Sequence, residues 1–158
     1  MYKPVKKHMK LAIKEAEKNL KTMRGGPFGA CIVKGNKVLS VARNKVIKKD
    51  ATCHAEIEAI REASKKLGTF DLSGCIIYST AEPCPMCFSA IHWARIDTIV
   101  YGATIKDAVK IGFNELNISN RDMKKLGRSK VRVVSGFMKS GCRDLMNSWN
   151  NLEKKVFY

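Results

Sequence analysis

The feature that most constrains this chain is a pair of short motifs that together offer ligands for a soft metal ion. The first motif reads His54-Ala55-Glu56, and the second reads Pro83-Cys84-Pro85-Met86-Cys87. One imidazole and two thiols are good ligands for zinc. Three protein ligands leave one coordination position for water, which is the pattern of a catalytic zinc. The fold therefore has to bring the two motifs together.

Glu56 is the acidic residue that such a site needs in addition to its ligands. Zinc lowers the pKa of bound water from 15.7 to about 7. A carboxylate beside that water can take its proton and pass the proton to a leaving group. The alternative is a structural zinc clip or a chance pair of core cysteines. A structural zinc usually has four ligands and needs no spare acid, so the motif favours catalysis.

The spacing of the motifs predicts that each one begins a helix. Cys84 and Cys87 are three positions apart, so on a helix they share one face. Pro85 suits a first helical turn, where its missing N–H is not needed. A helix N-terminus also favours thiolates over thiols. His54 and Glu56 are two positions apart, so on a regular helix they would point to different sides. That suits one ligand and one non-ligand, provided that His54 stands at the very start of its helix.

Hydrophobic periodicity predicts an alternation of strands and helices along the chain. The helix over 54–67 should bury Ile57, Ile60 and Leu67 and end at Gly68. Residues 43–53 should form a polar connection. Residues 102–130 should form a loop with a short helix. The predicted helices cover 5–23, 54–67, 85–94 and 143–155, and the predicted strands cover 30–33, 38–42, 75–79, 98–101 and 131–134. A turn at Gly35-Asn36 joins the first two strands as a hairpin. This order favours an α/β sheet with helices on both faces.

The composition predicts one domain over residues 1–158 in a reducing cytoplasm. The chain has 158 residues and is 45% hydrophobic, which is enough for one sizeable core. Four of the six cysteines lie outside the metal motif without the spacing of a disulfide framework. No apolar run approaches the roughly 20 residues of a membrane span, so we expect no membrane partner.

The net charge of +16 leaves two interpretations open. It could serve a polyanion such as RNA. The alternative is a solvated, lysine-rich surface. The positive residues are dispersed along the chain and most are lysine, whereas arginine is the better planar clamp for phosphate. The dispersed pattern favours the solvated surface.

The metal motifs also carry a resemblance to a known family. H-x-E followed by P-C-x-x-C is the signature of zinc-dependent nucleobase deaminases. The chain resembles the cytidine deaminase-like superfamily over nearly its whole length, and within it the bacterial guanine deaminases. The residues behind this resemblance are 25–30, 82–87, 90–95, Asp107-Ala108, 112–115 and Tyr158. The resemblance implies a three-layer α/β/α fold with a central mixed five-stranded sheet, a bound Zn²⁺ and a homodimer.

The resemblance also implies a set of substrate-binding residues. Phe28 and Trp93 would help to enclose a planar base, and Asn44 would read a ring carbonyl and an adjacent N–H. Ala55 would offer a backbone N–H near the reacting centre. The alternatives are ordinary core packing for the two aromatic residues and a turn for Asn44.

Two further implied residues concern substrate choice and closure of the site. Glu115 would accept hydrogen bonds from the ring and amino N–H groups of guanine, and Tyr158 would cover the site from an exchanged C-terminal segment of the partner subunit. Their alternatives are a solvated loop acid, with Asn114 one position away, and a frayed chain end. Cys53 replaces the alanine of the usual Pro-Thr-Ala-His run and is either inert packing or an oxidation-sensitive thiol.

The implied activity is hydrolytic deamination of guanine to xanthine and ammonia. Alternatives that share the metal motifs are a transfer-RNA adenosine deaminase and a guanosine- or cytosine-type deaminase. A third class is a catalytically silent RNA-binding subunit on the same fold. The positive charge favours a role on RNA, whereas Glu115 and Tyr158 speak against the transfer-RNA enzyme. The intact Glu56 argues against a silent subunit.

Overall fold

A computed structural model describes residues 2–158 and shows one five-stranded sheet in the order β2-β1-β3-β4-β5. Its strands are β1 Gly29–Lys34, β2 Lys37–Arg43, β3 Cys75–Ala81, β4 Thr98–Ala103 and β5 Arg132–Val134. β1 runs antiparallel to both β2 and β3, whereas β3, β4 and β5 are parallel to one another. The mixed sheet predicted from the sequence is therefore confirmed. The ends of β3 and β4 lead directly into the segments that carry chemistry.

Helices cover both faces of this sheet. They are α1 Lys6–Glu17, α2 Asn19–Thr22, α3 Ala55–Leu67, α4 Pro85–Trp93, α5 Ile105–Lys110, α6 Asn120–Leu126 and α7 Lys139–Asn150. The strands alternate their side chains between two cores, as β-strands do. Ile32, Ile77 and Ile99 pack with α3 and α4 on one face, while their neighbours along the strands pack with α1 and α7 on the other. The three-layer α/β/α arrangement follows from this alternation.

The hairpin predicted at the start of the sheet is confirmed. Lys34 pairs with Lys37, which leaves Gly35 and Asn36 as the two-residue turn. Gly35 has a positive φ of 56°, which a tight hairpin turn requires and glycine adopts at low cost.

The single helix predicted over 5–23 is wrong only at Lys18, a one-residue interruption between α1 and α2 that keeps helical backbone angles. Beside it, the side chain of Asn19 is fully buried, and its amide nitrogen donates to the carbonyls of Gly26 and Asn44. These two bonds hold the loop that borders the site described below.

The buried stripe predicted for α3 is also wrong, although the helix itself and its stop at Gly68 are confirmed. Ile57 and Ile60 are only half-buried and Leu67 is exposed, whereas the buried apolar positions are Ala55, Ala59 and Ala63. Small side chains let the α3 backbone approach the sheet closely, so alanine rather than isoleucine forms this face.

The C-terminal part of the chain differs most from the prediction. α7 covers residues 139–150 rather than 143–155, and residues after Asn151 turn back toward the sheet. The backbone N–H of Asn114 donates to the carbonyl of Tyr158 at 3.0 Å, which anchors the returning segment. The segment 102–130 holds two helices rather than one. Within residues 2–158, no helix has both the length and the apolar character that crossing a membrane requires.

Candidate active site

The three predicted metal ligands meet at the starts of α3 and α4. His54 and Cys84 are the N-cap residues of these helices, both with extended backbone, and Pro85 occupies the first turn of α4. The Nδ1 atom of His54 lies 3.6 Å from the Sγ atom of Cys84. The ligand atoms of His54, Cys84 and Cys87 all lie within 4.8 Å of one another. The prediction that each motif begins a helix is confirmed.

The chemistry of this ligand set fits zinc. Hydrogen bonds from Cys87 and His54 lower the pKa of the Cys84 thiol to about 4, so Cys84 is ready to bind as a thiolate. Burial raises the pKa of Cys87. A bound cation reverses that effect, because a coordinating thiol is deprotonated outright. The trio therefore has the ligand types and the spacing of a zinc centre with one open position.

Glu56 lies beside the ligands without joining them. Its side chain is 6% exposed, and its Oε1 atom accepts a hydrogen bond from the hydroxyl of Ser79 at 2.9 Å. The Sγ atom of Cys87 donates to the Oε2 atom at 3.5 Å. Burial raises the pKa of Glu56, which suits a carboxylate that takes up and releases a proton during each turnover. Ser79 fixes the orientation of this carboxylate.

A small cavity adjoins the metal ligands. Four residues predicted to bind substrate contribute to its wall, and the full lining is Phe28, Asn44, His54, Glu56, Ala81, Glu82, Cys84, Glu115 and Tyr158. The open space, about 20 Å³, holds a water-sized group rather than a purine. A base therefore enters only when lining side chains move aside.

The aromatic wall of the cavity is organised around Phe113. Its ring packs edge-on against Phe28 at 4.9 Å, Tyr158 at 5.3 Å and Phe157 at 5.2 Å between centroids. Gly112 has a φ of 114°, and a Cβ there would lie 3.3 Å from the Phe157 ring. The glycine therefore permits both the turn and the close approach of the C-terminal segment.

Glu115 and Asn114 are distinguished by their positions. The Glu115 side chain lines the cavity, whereas Asn114 is exposed. Burial, reinforced by the nearby charge of Cys84, raises the pKa of Glu115 to about 7. Of the two neighbouring positions, only Glu115 is placed to contact a bound molecule.

Asn44 is fixed by a network that decides which of its atoms is available. Its Oδ1 atom accepts from the backbone N–H groups of Val46 at 3.0 Å and Gly26 at 3.3 Å. The amide nitrogen is therefore the end left for a ligand, and it is a donor only. The amide nitrogen of Asn44 suits a ring carbonyl, and the contact of Asn44 with an adjacent N–H stays a prediction.

Trp93 is not brought to this cavity. Its side chain is 77% exposed near the C-terminal end of α4, where it packs edge-on against His92. Trp93 is six positions beyond Cys87 on α4, a rise of about 9 Å. The structure does not bring Trp93 to the cavity of its own chain, so its contact with a base stays a prediction. Ala55 is fully buried in the first turn of α3 and does not line the cavity, so its backbone contact stays a prediction.

Tyr158 reaches the cavity of its own chain, and its predicted exchange with a partner subunit stays a prediction. Its hydroxyl accepts a hydrogen bond from the Gly26 N–H at 3.0 Å, and burial raises the pKa of the phenol. The returning segment after α7 is long enough to deliver this residue. An exchanged segment is therefore not needed to order Tyr158.

Glu82 positions one wall of the site, a role that the sequence analysis did not assign. Its carboxylate is 8% exposed and accepts from the backbone N–H of Asn120 at 2.8 Å and of Ile105 at 3.1 Å. These are the first residues of α6 and α5, so one side chain fixes both ends of the segment that carries Glu115. Asn120 in turn donates to the Pro83 carbonyl at 2.6 Å. The sequence signal that could have indicated this role is the position of an acidic residue immediately before the cysteine motif.

We expect Glu82→Gln to lower kcat/KM roughly tenfold and to destabilise the fold by about 2 kcal/mol, while zinc stays bound. The amide offers one oxygen where two backbone donors need acceptors, so the segment carrying Glu115 loosens. Metal analysis, a melting curve and steady-state kinetics measure the three effects. Glu153→Gln makes the same chemical change at an exposed position and should be silent. Unchanged kinetics in Glu82→Gln would show that Glu82 does not hold the segment that carries Glu115 in a position that catalysis needs.

The segment that precedes His54 is tied to α3 by Glu58. This carboxylate is 5% exposed and pairs with Lys49 at 3.1 Å, Lys45 at 3.2 Å and Arg61 at 2.9 Å. Although burial opposes it, this surrounding positive charge lowers the pKa of Glu58 to about 2. The polar connection predicted from the sequence is thus held against α3 between Asn44 and His54.

Comparison with known proteins identifies the family. A sequence profile described as the cytidine and deoxycytidylate deaminase zinc-binding region matches residues 3–103. The chain belongs to this family. The matched residues include both metal motifs and Glu56, so the chain is a zinc-binding, hydrolytic deaminase.

Three relatives narrow the comparison. Guanine deaminase of Bacillus subtilis is 48% identical over 92 residues, covering 58% of this chain and 59% of that protein, which is less than two thirds of its length. The tRNA-specific adenosine deaminase of B. subtilis is 33% identical over 150 residues, covering 94% and 90%. The solved structure of guanine deaminase from Nitrosomonas europaea has a TM-score of 0.85 at 27% identity, covering 96% and 87%.

Proposed function

We propose that this chain deaminates guanine hydrolytically, yielding xanthine and ammonia. One observation carries the proposal: the carboxylate of Glu115 shares a cavity with Glu56, with the metal ligands His54 and Cys84, and with the donor amide of Asn44. Similarity to guanine deaminases in both sequence and structure supports the same substrate.

Guanine complements the polar groups of this cavity. Its ring N–H and amino group are donors on one edge, and a carboxylate such as Glu115 is an acceptor. Its carbonyl oxygen is an acceptor, and the free end of Asn44 is a donor. Adenine lacks the ring N–H beside a carbonyl, so it leaves both protein groups without partners. An unpaired buried polar group costs more than a lost neutral contact, so adenine should be a poor substrate.

The reaction uses the groups already placed. Zinc held by His54, Cys84 and Cys87 would supply an activated water at neutral pH. Glu56 accepts a proton from that water and donates it to the ring nitrogen. It then accepts the proton of the hydroxyl added to the ring carbon and donates that proton to the departing amine. Ser79 keeps the Glu56 carboxylate oriented through both transfers. Guanine and water are consumed, and xanthine and ammonia are released, so atoms and charge balance.

A second candidate, deamination of adenosine in transfer RNA, is favoured by two observations. The match to the tRNA-specific adenosine deaminase covers 94% of this chain, and the net charge is +16. Glu115 at the cavity speaks against it, because a carboxylate accepts the ring N–H that guanine has and adenosine lacks. Incubation with transfer RNA followed by inosine analysis distinguishes the two. Inosine in the anticodon would promote this candidate.

We expect Glu115→Gln to lower kcat/KM for guanine roughly 10- to 100-fold with zinc still bound. The amide removes one acceptor and the negative charge from the guanine-binding edge. Asn114→Ala is the matched control, because Asn114 is the exposed neighbour. Equal effects of the two substitutions, or no effect of Glu115→Gln, would mean that Glu115 is not the acidic residue that selects guanine.

Deleting Tyr158 should lower kcat/KM roughly tenfold, because the cavity loses one wall and the Gly26 N–H loses its partner. With Tyr158 in the cavity of its own chain, as in this structure, mixing Tyr158-deleted chains with Glu56→Ala chains should restore no activity, whereas the exchange implied by the resemblance should restore some. Kinetics on refolded mixtures measures this. Recovery toward a quarter of the wild-type rate would show that the segment is exchanged between subunits.

Several broader predictions rest on less direct support. The single sheet shared by residues 2–158 supports one deaminase domain. All six cysteines are free, which supports a reducing cytoplasm. A role in purine breakdown follows from the proposed reaction, and the homodimer stays a prediction from the resemblance.

A further inference from the structure

A second, larger cavity of about 620 Å³ lies beyond the C-terminal end of α4, whereas the metal ligands lie at its N-terminal end. The helix separates the two places by about 14 Å. Residues at the starts of β4 and β5 complete the wall. Four of the lining side chains are cationic and one is acidic, namely Arg95, Arg128, Lys130, Arg132 and Asp97.

The positive charge of this cavity is largely uncompensated. Among residues 2–158, Arg128, Lys130 and Arg132 take part in no ion pair. The single acid, Asp97, accepts a hydrogen bond from the Gly74 N–H at 3.1 Å. Three cationic side chains therefore border one cavity without an acidic partner.

Arg95 is held in position at the same wall. Its Nη1 atom lies 2.7 Å from the Asp71 Oδ2 atom, and its guanidinium lies 5.2 Å from the centre of the Phe70 ring. These two contacts restrict the side chain while leaving other guanidinium N–H groups available. A restricted arginine loses less conformational entropy when it binds a ligand.

Two of these arginines occupy backbone positions that favour glycine. Arg95 and Arg128 have φ values of 58° and 51°, and each is the second residue after its helix, α4 or α6. The closing hydrogen bonds, from Ile96 to Ile91 and from Ser129 to Lys124, are those of the Schellman motif. Glycine usually occupies this left-handed position because it has no Cβ penalty. Both helices end on arginine at this cavity instead.

The helix dipole accounts for only part of this pattern. A cation near a helix C-terminus is favourable, which applies to Arg95 and Arg128. This explanation does not apply to Lys130, which lies between α6 and β5, or to Arg132, which is the first residue of β5. A polar group adds to the wall, since the Ser129 hydroxyl is 7% exposed and lies 3.1 Å from His92 Nδ1. The cavity thus concentrates donors from several elements.

We propose that this cavity binds a phosphorylated small molecule through its phosphate groups. Guanidinium groups match phosphate oxygens with paired, charge-assisted hydrogen bonds. The volume falls within the range of small-molecule sites. The site is independent of the deaminase reaction, because it lies at the other end of α4. The cationic lining favours an anionic phosphate over a neutral ligand.

Pyrophosphate is the probe for the test, with calorimetric titration of the zinc-loaded protein at two salt concentrations. We expect one site per chain, weaker at the higher salt concentration. The double variant Arg128→Gln/Arg132→Gln should weaken binding about tenfold or more. Lys10→Gln/Lys14→Gln removes the same charge from exposed positions on α1 and should change binding less than about twofold. Guanine turnover should be unchanged in both double variants.

Arg128→Gly separates a ligand-binding role from a structural one. Glycine suits the left-handed backbone, so the melting temperature should hold or rise while pyrophosphate binding weakens. No binding by the wild-type protein, or equal weakening in the α1 control, would overturn the proposal. Binding of transfer RNA that depends on Arg128 and Arg132, without binding of pyrophosphate, would also overturn it, because the ligand would then be a nucleic acid.

Discussion

Replacing Glu56 with alanine is expected to lower guanine turnover by about 10²- to 10⁴-fold, the usual contribution of a general acid–base group. The carboxylate moves protons and does not bind the metal, so zinc content should stay near that of the wild type. Glu56 is buried, and its carboxylate accepts hydrogen bonds from Ser79 and Cys87. Among the described residues, no other carboxylate is hydrogen-bonded to these two side chains. Steady-state kinetics with metal analysis measures both quantities.

Glu56→Gln is the matched variant, because it keeps the shape and the hydrogen bond from Ser79 while losing the proton acceptor. It should be nearly as inactive as Glu56→Ala, with a melting temperature closer to that of the wild type. Loss of zinc in either variant would mean that Glu56 supports the metal. Near-normal turnover in either would mean that another group moves the protons.

Cys87→Ser is expected to abolish zinc binding and activity together and to lower stability. The three ligands join the starts of α3 and α4, so metal binding contributes directly to the free energy of unfolding. At a zinc concentration a thousand times the Kd, that contribution is about 4 kcal/mol. Melting curves with and without a chelator, together with zinc analysis, measure the effect.

The control is Cys75→Ser, which makes the same change at a fully buried cysteine that is not a ligand. It should lose some stability through packing but keep its zinc and its response to the chelator. Cys87→Ser should show no response to the chelator, because no zinc remains to be removed. Full zinc occupancy in Cys87→Ser would contradict the ligand set.

The metal centre could be predicted from the sequence because each of its requirements is local. The spacing of Cys84 and Cys87, the proline between them and the position of His54 relative to Glu56 follow from helix geometry alone. Each motif could therefore be placed at a helix start before any tertiary contact was known. The closing contacts of Glu115 and Tyr158 came from resemblance, and the structure places both side chains at the cavity.

The errors lie where distant segments decide the outcome. The buried amide of Asn19 donates to two carbonyls elsewhere in the chain, which helical periodicity does not reveal. Glu82, which follows β3, accepts hydrogen bonds from the first residues of α5 and α6, and no local sequence pattern predicts these contacts. Trp93 was assigned to the site by resemblance and lies near the C-terminal end of α4, outside the cavity of its own chain, so its role stays a prediction. Local periodicity could identify these elements but not the partners of their buried polar groups.

The most direct test of the proposed function is ammonia release by zinc-loaded protein from equal amounts of guanine, guanosine, adenine, cytosine, cytidine and transfer RNA. The site predicts that guanine alone gives rapid release, with xanthine formed in equal amount, and that Glu56→Ala removes it. Adenine should react at least about 100-fold more slowly, because it leaves the buried groups at Glu115 and Asn44 unpaired. No release from guanine, together with inosine formation in transfer RNA, would contradict the proposed function.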